Sequence, residues 1–300
     1  MAETDVLTIA ARRQATQAAL ARSTASAARA AWARIDRLSI GRSWLRLLAE
    51  PLALLVAGQL QAAQTADAYV AEALAAQGVA TPAEGAVWGR SLAGVASDGR
   101  RLDTLLYQPA IETLTLIGAG ASPSRALAAG ALRLDMIVRT QIADAGRVAT
   151  GIGIAARPGT GYTRVLTPPS CSRCAILAGK YYRWSMGFQR HPKCDCVHVP
   201  TTRGFSGGLV TNPRGYFDSL TAVEQNRIFT NAGAAAIRDG ADIGQVVNAR
   251  RGMTSAGTTT EATGRRGGAP RNRLMPEEIY RRAGSREEAL ALLREHRYLI

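Results

Sequence analysis

The sequence predicts a mainly α-helical protein that carries a small α+β domain in its second half. Of the 300 residues, 47% are hydrophobic but only 5% are aromatic. The core must therefore be built mostly from alanine, leucine, valine and isoleucine, which favours packed helices over an aromatic-rich β-sandwich. Apolar residues recur at helical spacing up to about residue 150, whereas glycines and β-branched residues become frequent after it.

Residues 1–150 are predicted to form successive helices. Apolar side chains follow a helical period at positions 32, 35 and 38 and again at positions 44, 47 and 48. Pro51 is placed to begin the next helix, and Gly78 to end it. A further helical stretch is predicted from Val87 to Ile117. Ser122 and Pro123 then supply the N-cap and the first turn of another helix.

The pattern changes at Gly151. Glycines at positions 151, 153, 159 and 161 interrupt the helix, and Tyr162–Leu166 has the composition of a short strand. Thr221–Glu224 is a capping box that opens a helix. Residues 252–272 lack periodicity and are predicted to be a flexible basic linker. Residues 273–300 are predicted to form a helical tail, in which Pro276 and the capping box Ser285–Glu288 each begin a helix.

No export or membrane-spanning segment is predicted. The first five residues are acidic where a signal peptide would be basic, and the most apolar stretch, residues 45–60, is interrupted by Arg46, Glu50 and Pro51. We therefore expect a protein retained in a cytoplasm. Because thiols stay reduced there, the spacing of the cysteines is better explained by metal binding than by disulfides.

All four cysteines lie in one short segment. Cys171 and Cys174 form a C-x-x-C pair, and Cys194 and Cys196 follow after a spacer. A C-x-x-C turn places two thiolates on one side of a tight loop, and a second pair completes a tetrahedral set of soft ligands. The sequence therefore predicts a zinc ion. Asp195, the only nearby acid, is poorly placed to activate a bound water, so we expect a closed, structural site that stabilises the small domain.

Five side chains compete for the four ligand positions. The four cysteines are the first choice, because thiolates neutralise the charge of the metal better than imidazole does. In the alternative set, His191 replaces Cys196 beside the other three cysteines. If the cysteines bind, His191 is a hydrogen-bond donor to a ligand or a polar loop residue. His198 is a sixth candidate.

The positive charge is unevenly distributed. The formal net charge is +14, and Lys180 and Lys193 are the only lysines. The preference for arginine over lysine is typical of a GC-rich genome, which the abundance of alanine also indicates. The position of the positive charge along the chain is the informative feature. Residues 151–200 carry seven basic side chains and one acidic one, each terminal fifty carries a net +4, and residues 51–150 are nearly neutral. Such a balance favours an acidic partner, nucleic acid above all.

Aromatic residues concentrate between the two cysteine pairs. Tyr181, Tyr182, Trp184 and Phe188 lie within eight positions, flanked by the basic residues at 180, 190 and 193. The rings either cover the metal site and form its small core, or join the basic side chains in holding a nucleic-acid strand or a partner protein. We favour the first interpretation for the rings and the second for the basic side chains.

The cysteine segment resembles a known family. Cys171-x-x-Cys174-Ala-Ile-Leu-Ala-Gly179-Lys-Tyr-Tyr, closed by His191-Pro-Lys-Cys194-Asp-Cys196, resembles the phage Mu F-like (MuF) minor head proteins of tailed bacteriophages, and most closely those from phages of high-GC actinobacteria. The resemblance covers about residues 100–250. It implies a MuF-like zinc-binding domain at 151–251, preceded by a helical region at 1–150 that docks on the portal or capsid.

The function that this resemblance implies is head morphogenesis. Family members are structural minor capsid proteins that lie in the head interior near the portal vertex of the virion and in the host cytoplasm during assembly. The implied partners are the portal protein, the major capsid or scaffolding protein, and packaged double-stranded DNA bound without sequence preference. The implied role is head assembly and DNA packaging or ejection, without catalysis.

Two enzymes and a binding protein are the alternatives. In a zinc-stabilised nuclease, His191 or His198 would be the general base, although acidic residues are scarce nearby. A maturation protease would need a Ser–His or Cys–His pair, which is lacking once the cysteines bind zinc. A zinc-stabilised DNA-binding protein remains, but no recognition helix stands out for a sequence-specific regulator.

Overall fold

A computed structural model describes residues 2–166, 170–186, 196–204, 212–261 and 272–299, with side chains from Val6 onward. The protein is mainly helical with a small antiparallel sheet, which confirms the coarse fold class. The chain divides into two compact units. The first unit consists of residues 1–164 and 181–209, and the second of residues 165–180 and 210–300.

The first unit is a helical assembly around one long helix. Its helices are α1 (Ala2–Trp32), α2 (Ile40–Leu47), α3 (Ala49–Gln64), α4 (Ala66–Ala75), α5 (Leu102–Gly118) and α6 (Pro123–Ala155). Helix α6 contacts α1, α3, α4 and α5. It begins as predicted, because the Ser122 side chain accepts a hydrogen bond from Arg125 N and Pro123 occupies the first turn. It also continues beyond residue 150, where the glycines were expected to end it.

Two tryptophans hold the helices of the first unit together. The rings of Trp32 and Trp44 meet edge to face at 4.8 Å. Trp44 Nε1 also donates to the Leu106 carbonyl at 2.8 Å, so its one polar atom is satisfied inside the core. Gly130 of α6 faces Trp32 and Thr113, and a Cβ there would stand inside 3.0 Å of both side chains. The glycine is thus required for the close approach of α1, α5 and α6.

Residues 87–101 are not α-helical, so the helix predicted to begin at Val87 starts only at Leu102. The segment contains a 3₁₀ turn at Gly89–Leu92 and two glycines with positive φ, Gly94 (86°) and Gly99 (84°). Gln59 of α3 fixes it, since its Nε2 donates to the Val95 carbonyl and its Oε1 accepts from Gly94 N, both at 2.9 Å. Left-handed backbone is incompatible with a continuous α-helix.

The small sheet belongs to the first unit. It contains β1 (Thr160–Val165), β2 (Tyr181–Arg183) and β3 (Val197–Thr202), in the order β2-β1-β3. Strand β1 confirms the strand predicted at 162–166, and it pairs antiparallel with β2 so that Tyr162 opposes Tyr182. Strand β3 is fastened to the helices, because Tyr69 Oη donates to the His198 carbonyl at 2.8 Å and Gln77 Nε2 to the Pro200 carbonyl at 2.7 Å.

The second unit is built from short helices. They are α7 (Ser172–Leu177), α8 (Pro213–Asp218), α9 (Ala222–Phe229), α10 (Asn231–Arg238), α11 (Ile243–Ala249), α12 (Pro276–Arg282) and α13 (Arg286–Glu295). The capping box predicted at Thr221–Glu224 forms with both of its hydrogen bonds. Ser285 caps α13 through Glu288 N, but the Glu288 carboxylate accepts from Gly284 N, outside the predicted box.

Part of the predicted linker is ordered in the second unit. Strand β4 (Thr258–Thr259) pairs antiparallel with β5 (Arg273–Leu274), and the buried Thr259 hydroxyl donates to the Ala249 carbonyl at 2.5 Å. Residues 262–271 of the predicted linker lie outside the described residues. Over the described ranges, none of the helices has an apolar stretch that would span a lipid bilayer.

Candidate metal-binding and nucleic-acid-contact residues

Cys171 and Cys174 form a tight thiol pair in the second unit. Cys171 is the N-cap of α7, and its Sγ accepts a hydrogen bond from Cys174 N at 3.4 Å. The two Sγ atoms are 3.3 Å apart. Both sulfurs therefore converge on one side of the turn, as the C-x-x-C spacing predicts.

The backbone before this turn is anchored by Tyr216 of α8. The Tyr216 hydroxyl accepts from Ser170 N and donates to the Ser170 carbonyl, both at 2.9 Å. Burial raises the pKa of Tyr216, although its hydrogen bond with Ser170 acts in the opposite direction. The hydroxyl therefore stays protonated and keeps donating while it fixes the start of the cysteine turn.

The geometry of the pair suits two ligands of one soft metal. With Zn–S bonds of about 2.3 Å in a tetrahedral site, two thiolates stand about 3.8 Å apart, so the observed pair would open by about half an ångström. A disulfide would require about 2.05 Å. The hydrogen bond from Cys174 N holds the Cys171 Sγ in this position.

The remaining predicted ligands are only partly described. Cys196 is buried in the first unit, immediately before β3. His191 and Cys194 lie outside the described residues. Within the part of the chain that the structure describes, no group of three or more His, Cys, Asp or Glu side chains is arranged to hold a metal. The structure thus brings together two of the five candidates, Cys171 and Cys174.

His198 occupies an aromatic stack on the sheet. Its ring lies 4.4 Å from that of Tyr162 at an interplanar angle of 20°, and Tyr162 stacks on Tyr182 at 5.2 Å and 13°. The three strands thus each contribute one ring to the same face. The stack gives His198 a packing role that the sequence does not predict, because the pairing register that aligns these positions is set by strands distant in the chain.

The predicted aromatic segment divides into a buried and an exposed part. Tyr182 is buried in the stack, as expected for a core ring, and burial raises its pKa. Tyr181 and Trp184 are exposed, Trp184 to 61%, and the Arg183 side chain beside them is exposed as well. Exposed rings next to a cation are the combination that stacks on unpaired bases and contacts phosphates. Phe188, Arg190 and Lys193 fall outside the described residues.

Some of the positive charge near the cysteine segment is buried. Arg157 and Arg164 are only 5% and 1% exposed, and Arg157 Nη1 donates to Asp67 Oδ1 and to the Gly153 carbonyl, both at 2.8 Å. Lys180 and Arg183 are exposed. The basic block at 151–200 is therefore partly structural, and fewer of its cations are available to an anionic partner than the sequence suggests.

Comparisons with protein-family models, with curated proteins and with solved structures find no match for this chain.

Proposed function

We propose that this protein is a MuF-like structural minor capsid protein of a tailed bacteriophage. In this proposal it lies in the head interior near the portal vertex, binds the portal protein and the major capsid or scaffolding protein, and acts in head assembly and DNA packaging or ejection. One observation carries the proposal. It is the motif that joins a C-x-x-C pair to His191-Pro-Lys-Cys194-Asp-Cys196 in a strongly basic chain.

Zinc is the metal that the thiol-rich motif fits best. Cys171, Cys174, Cys194 and Cys196 would hold it, with His191 as the alternate ligand to Cys196, and thiolates select zinc over harder cations. The converging sulfurs of Cys171 and Cys174 support this proposal. A bound zinc ion would contribute folding free energy rather than chemistry, since four protein ligands leave no position for a substrate.

DNA contact is proposed for the exposed cations rather than for the whole basic block. Arg183 is exposed on the edge strand β2, next to Trp184. Contacts of arginines with phosphates are independent of base sequence and weaken steeply with salt. We expect binding of a 30-bp duplex by the full chain to be equal for unrelated sequences and to fall as salt rises. Arg183→Ala should reduce the salt slope, and a preferred sequence would contradict the proposal.

The capsid role is tested by locating the protein. Mass spectrometry of purified virions and procapsids should detect the full chain, and the chain should co-purify with the portal protein. Its absence from both particles would overturn the proposal. Divalent-metal-dependent DNA cleavage that is lost in His191→Ala or His198→Ala would instead favour the nuclease.

The zinc site is tested by elemental analysis of the purified full chain. We expect about one zinc per chain, lost together with the folding of residues 160–250 in Cys174→Ser, because structural zinc supplies much of the folding free energy of a small domain. Ser172→Ala, in the same turn, is the control and should keep the metal. An unchanged zinc content in Cys174→Ser would contradict the ligand assignment.

A further inference from the structure

Helix α2, the turn before it and helix α5 carry exposed leucines together with arginines. Leu38 is 97% exposed and Leu45 62%, while Ile111 and Leu114 of α5 are 45% and 46% exposed. Single exposed leucines are ordinary, but neighbouring ones on an ordered surface mark interaction sites. We call these residues, together with Arg37, Arg42 and Arg46, the α2–α5 surface.

Gly41 joins the two halves of this surface. Leu114 Cδ1 lies 3.6 Å from where a Cβ on Gly41 would stand, and the Tyr107 hydroxyl lies 3.0 Å from the same point. A Cβ at position 41 would therefore press on the Tyr107 hydroxyl, whereas its contact with Leu114 would be an ordinary van der Waals one. Gly41 and Leu45 are four positions apart on α2 and share one helical face, whereas Leu38 lies in the turn that precedes the helix. Both exposed leucines are therefore within four positions of Gly41, the point where Leu114 of α5 approaches.

The exposure of Leu38 is imposed by an ordered turn. The Asp36 carboxylate accepts from Leu38 N at 3.0 Å and from Ser39 Oγ at 2.7 Å. Asp36 N in turn donates to Ser43 Oγ at 3.0 Å. These hydrogen bonds hold the Leu38 backbone in place before any partner binds. Little entropy is therefore lost in ordering this turn on binding, as expected of a preorganised contact residue.

Three cations border the leucines. Arg37, Arg42 and Arg46 are exposed. Nearby Arg34 pairs with Glu50, whereas these three form no ion pair within 4.0 Å with the acidic side chains that the structure describes. Arg46 acts on the Asp36 carboxylate at longer range. Asp36 is engaged by the turn. The α2–α5 surface is thus apolar at its centre and positive at its rim, the layout of a protein interface whose partner is negative.

We propose that the α2–α5 surface docks an acidic amphipathic helix of a partner protein. The leucine stripe of such a helix would cover Leu38 and Leu45, and its carboxylates would face the three arginines. Duplex DNA would satisfy the arginines but leave the leucines in water. A second copy of this chain would place like charge against like charge. The inference is independent of the proposed phage function, since it rests on these contacts alone.

The test uses the full chain and two synthetic probes. One is a 20-residue helical peptide with leucines on one face and glutamates elsewhere, and the other carries lysine in place of every glutamate. Fluorescence anisotropy should show binding of the glutamate peptide and none of the lysine peptide. Leu38→Ser/Leu45→Ser should weaken binding about tenfold or more, because the variant removes both leucines that the apolar face of the peptide would cover. Arg42→Glu/Arg46→Glu should also weaken it about tenfold.

The control variant is Val223→Ser/Arg227→Glu on α9. It changes an exposed valine and an exposed arginine of the second unit that are four positions apart, as Arg42 and Arg46 are, and it should leave binding unchanged. Equal binding of both peptides, binding of neither, or an equal loss in the control would overturn the proposal. Two further outcomes would overturn the proposal. In the first, a 20-bp DNA duplex binds the chain, neither peptide does, and only the arginine variant weakens the binding of the duplex. In the second, sedimentation shows self-association of the chain that the leucine variant abolishes.

Discussion

The packing of α6 can be tested with two glycines of the same helix, Gly130 and Gly151. A Cβ at Gly130 would stand inside 3.0 Å of Trp32 and Thr113, whereas nothing lies within 4 Å of a Cβ at Gly151. Alanine has the same intrinsic advantage over glycine in both positions, about 1 kcal/mol. The two substitutions therefore differ in packing and should change stability in opposite directions.

The expected magnitudes follow from these contacts. Overpacking a filled core costs about 1–3 kcal/mol, and more where rings and backbone cannot move. Trp32 is held by its edge-to-face contact with Trp44 and by a 3.1 Å hydrogen bond from its Nε1 to the Leu127 carbonyl, so it can yield little. Because a Cβ at Gly130 would meet both neighbouring side chains well inside 3.0 Å, the overpacking cost should reach or exceed about 3 kcal/mol. Less the gain of about 1 kcal/mol for alanine, we expect Gly130→Ala to lower the free energy of unfolding by about 2 kcal/mol or more and Gly151→Ala to raise it by up to about 1 kcal/mol.

Urea unfolding followed by tryptophan fluorescence is the appropriate assay. All four tryptophans lie in the first unit, so the signal reports on the unit that contains α6. At a slope of about 1–3 kcal/mol per molar urea, the expected loss moves the midpoint of Gly130→Ala by about 1 M. Equal stabilisation by both substitutions would refute the close approach of α1, α5 and α6 at Gly130.

Further expectations concern the second unit. Tyr216→Phe removes both hydrogen bonds to Ser170 and should destabilise this unit by about 1–3 kcal/mol, since each bond contributes about 0.5–1.5 kcal/mol. Hydrogen exchange of residues 165–180 should become faster in this variant. The control Tyr107→Phe loses only a 3.4 Å hydrogen bond and should have little effect, so equal exchange rates in the two variants would contradict the role of Tyr216. His296 accepts from Leu274 N through Nδ1, and burial lowers its pKa, so the neutral form is favoured in the fold and stability should fall as pH drops below about 6.5. Between pH 8 and pH 5, the melting temperature should fall less in His296→Asn, which keeps a hydrogen-bond acceptor, than in the unmodified protein. The same pH profile in both proteins would refute the role of His296.

The features that the sequence predicted correctly are local ones. The Ser122–Pro123 helix start and the Thr221–Glu224 capping box each depend on atoms within four residues, so the residue types alone determine the hydrogen bonds. The turn at Cys171 and Cys174 belongs to the same class, since the C-x-x-C spacing by itself directs both sulfurs to one side.

Contacts between distant residues were decided only by the tertiary structure. Tyr216 reaches Ser170 across 46 positions, and the stack of His198 on Tyr162 requires the pairing of strands that are far apart in the chain. The burial of Arg157 and Arg164 is of the same kind. Composition placed them in a basic block, but whether a guanidinium faces water or lies in a core depends on which elements pack over it. The sequence by itself determined the local helix starts, the thiol pair and the total charge. The tertiary structure decided which of the charged side chains and rings are exposed, because exposure depends on long-range packing that no short stretch of sequence specifies.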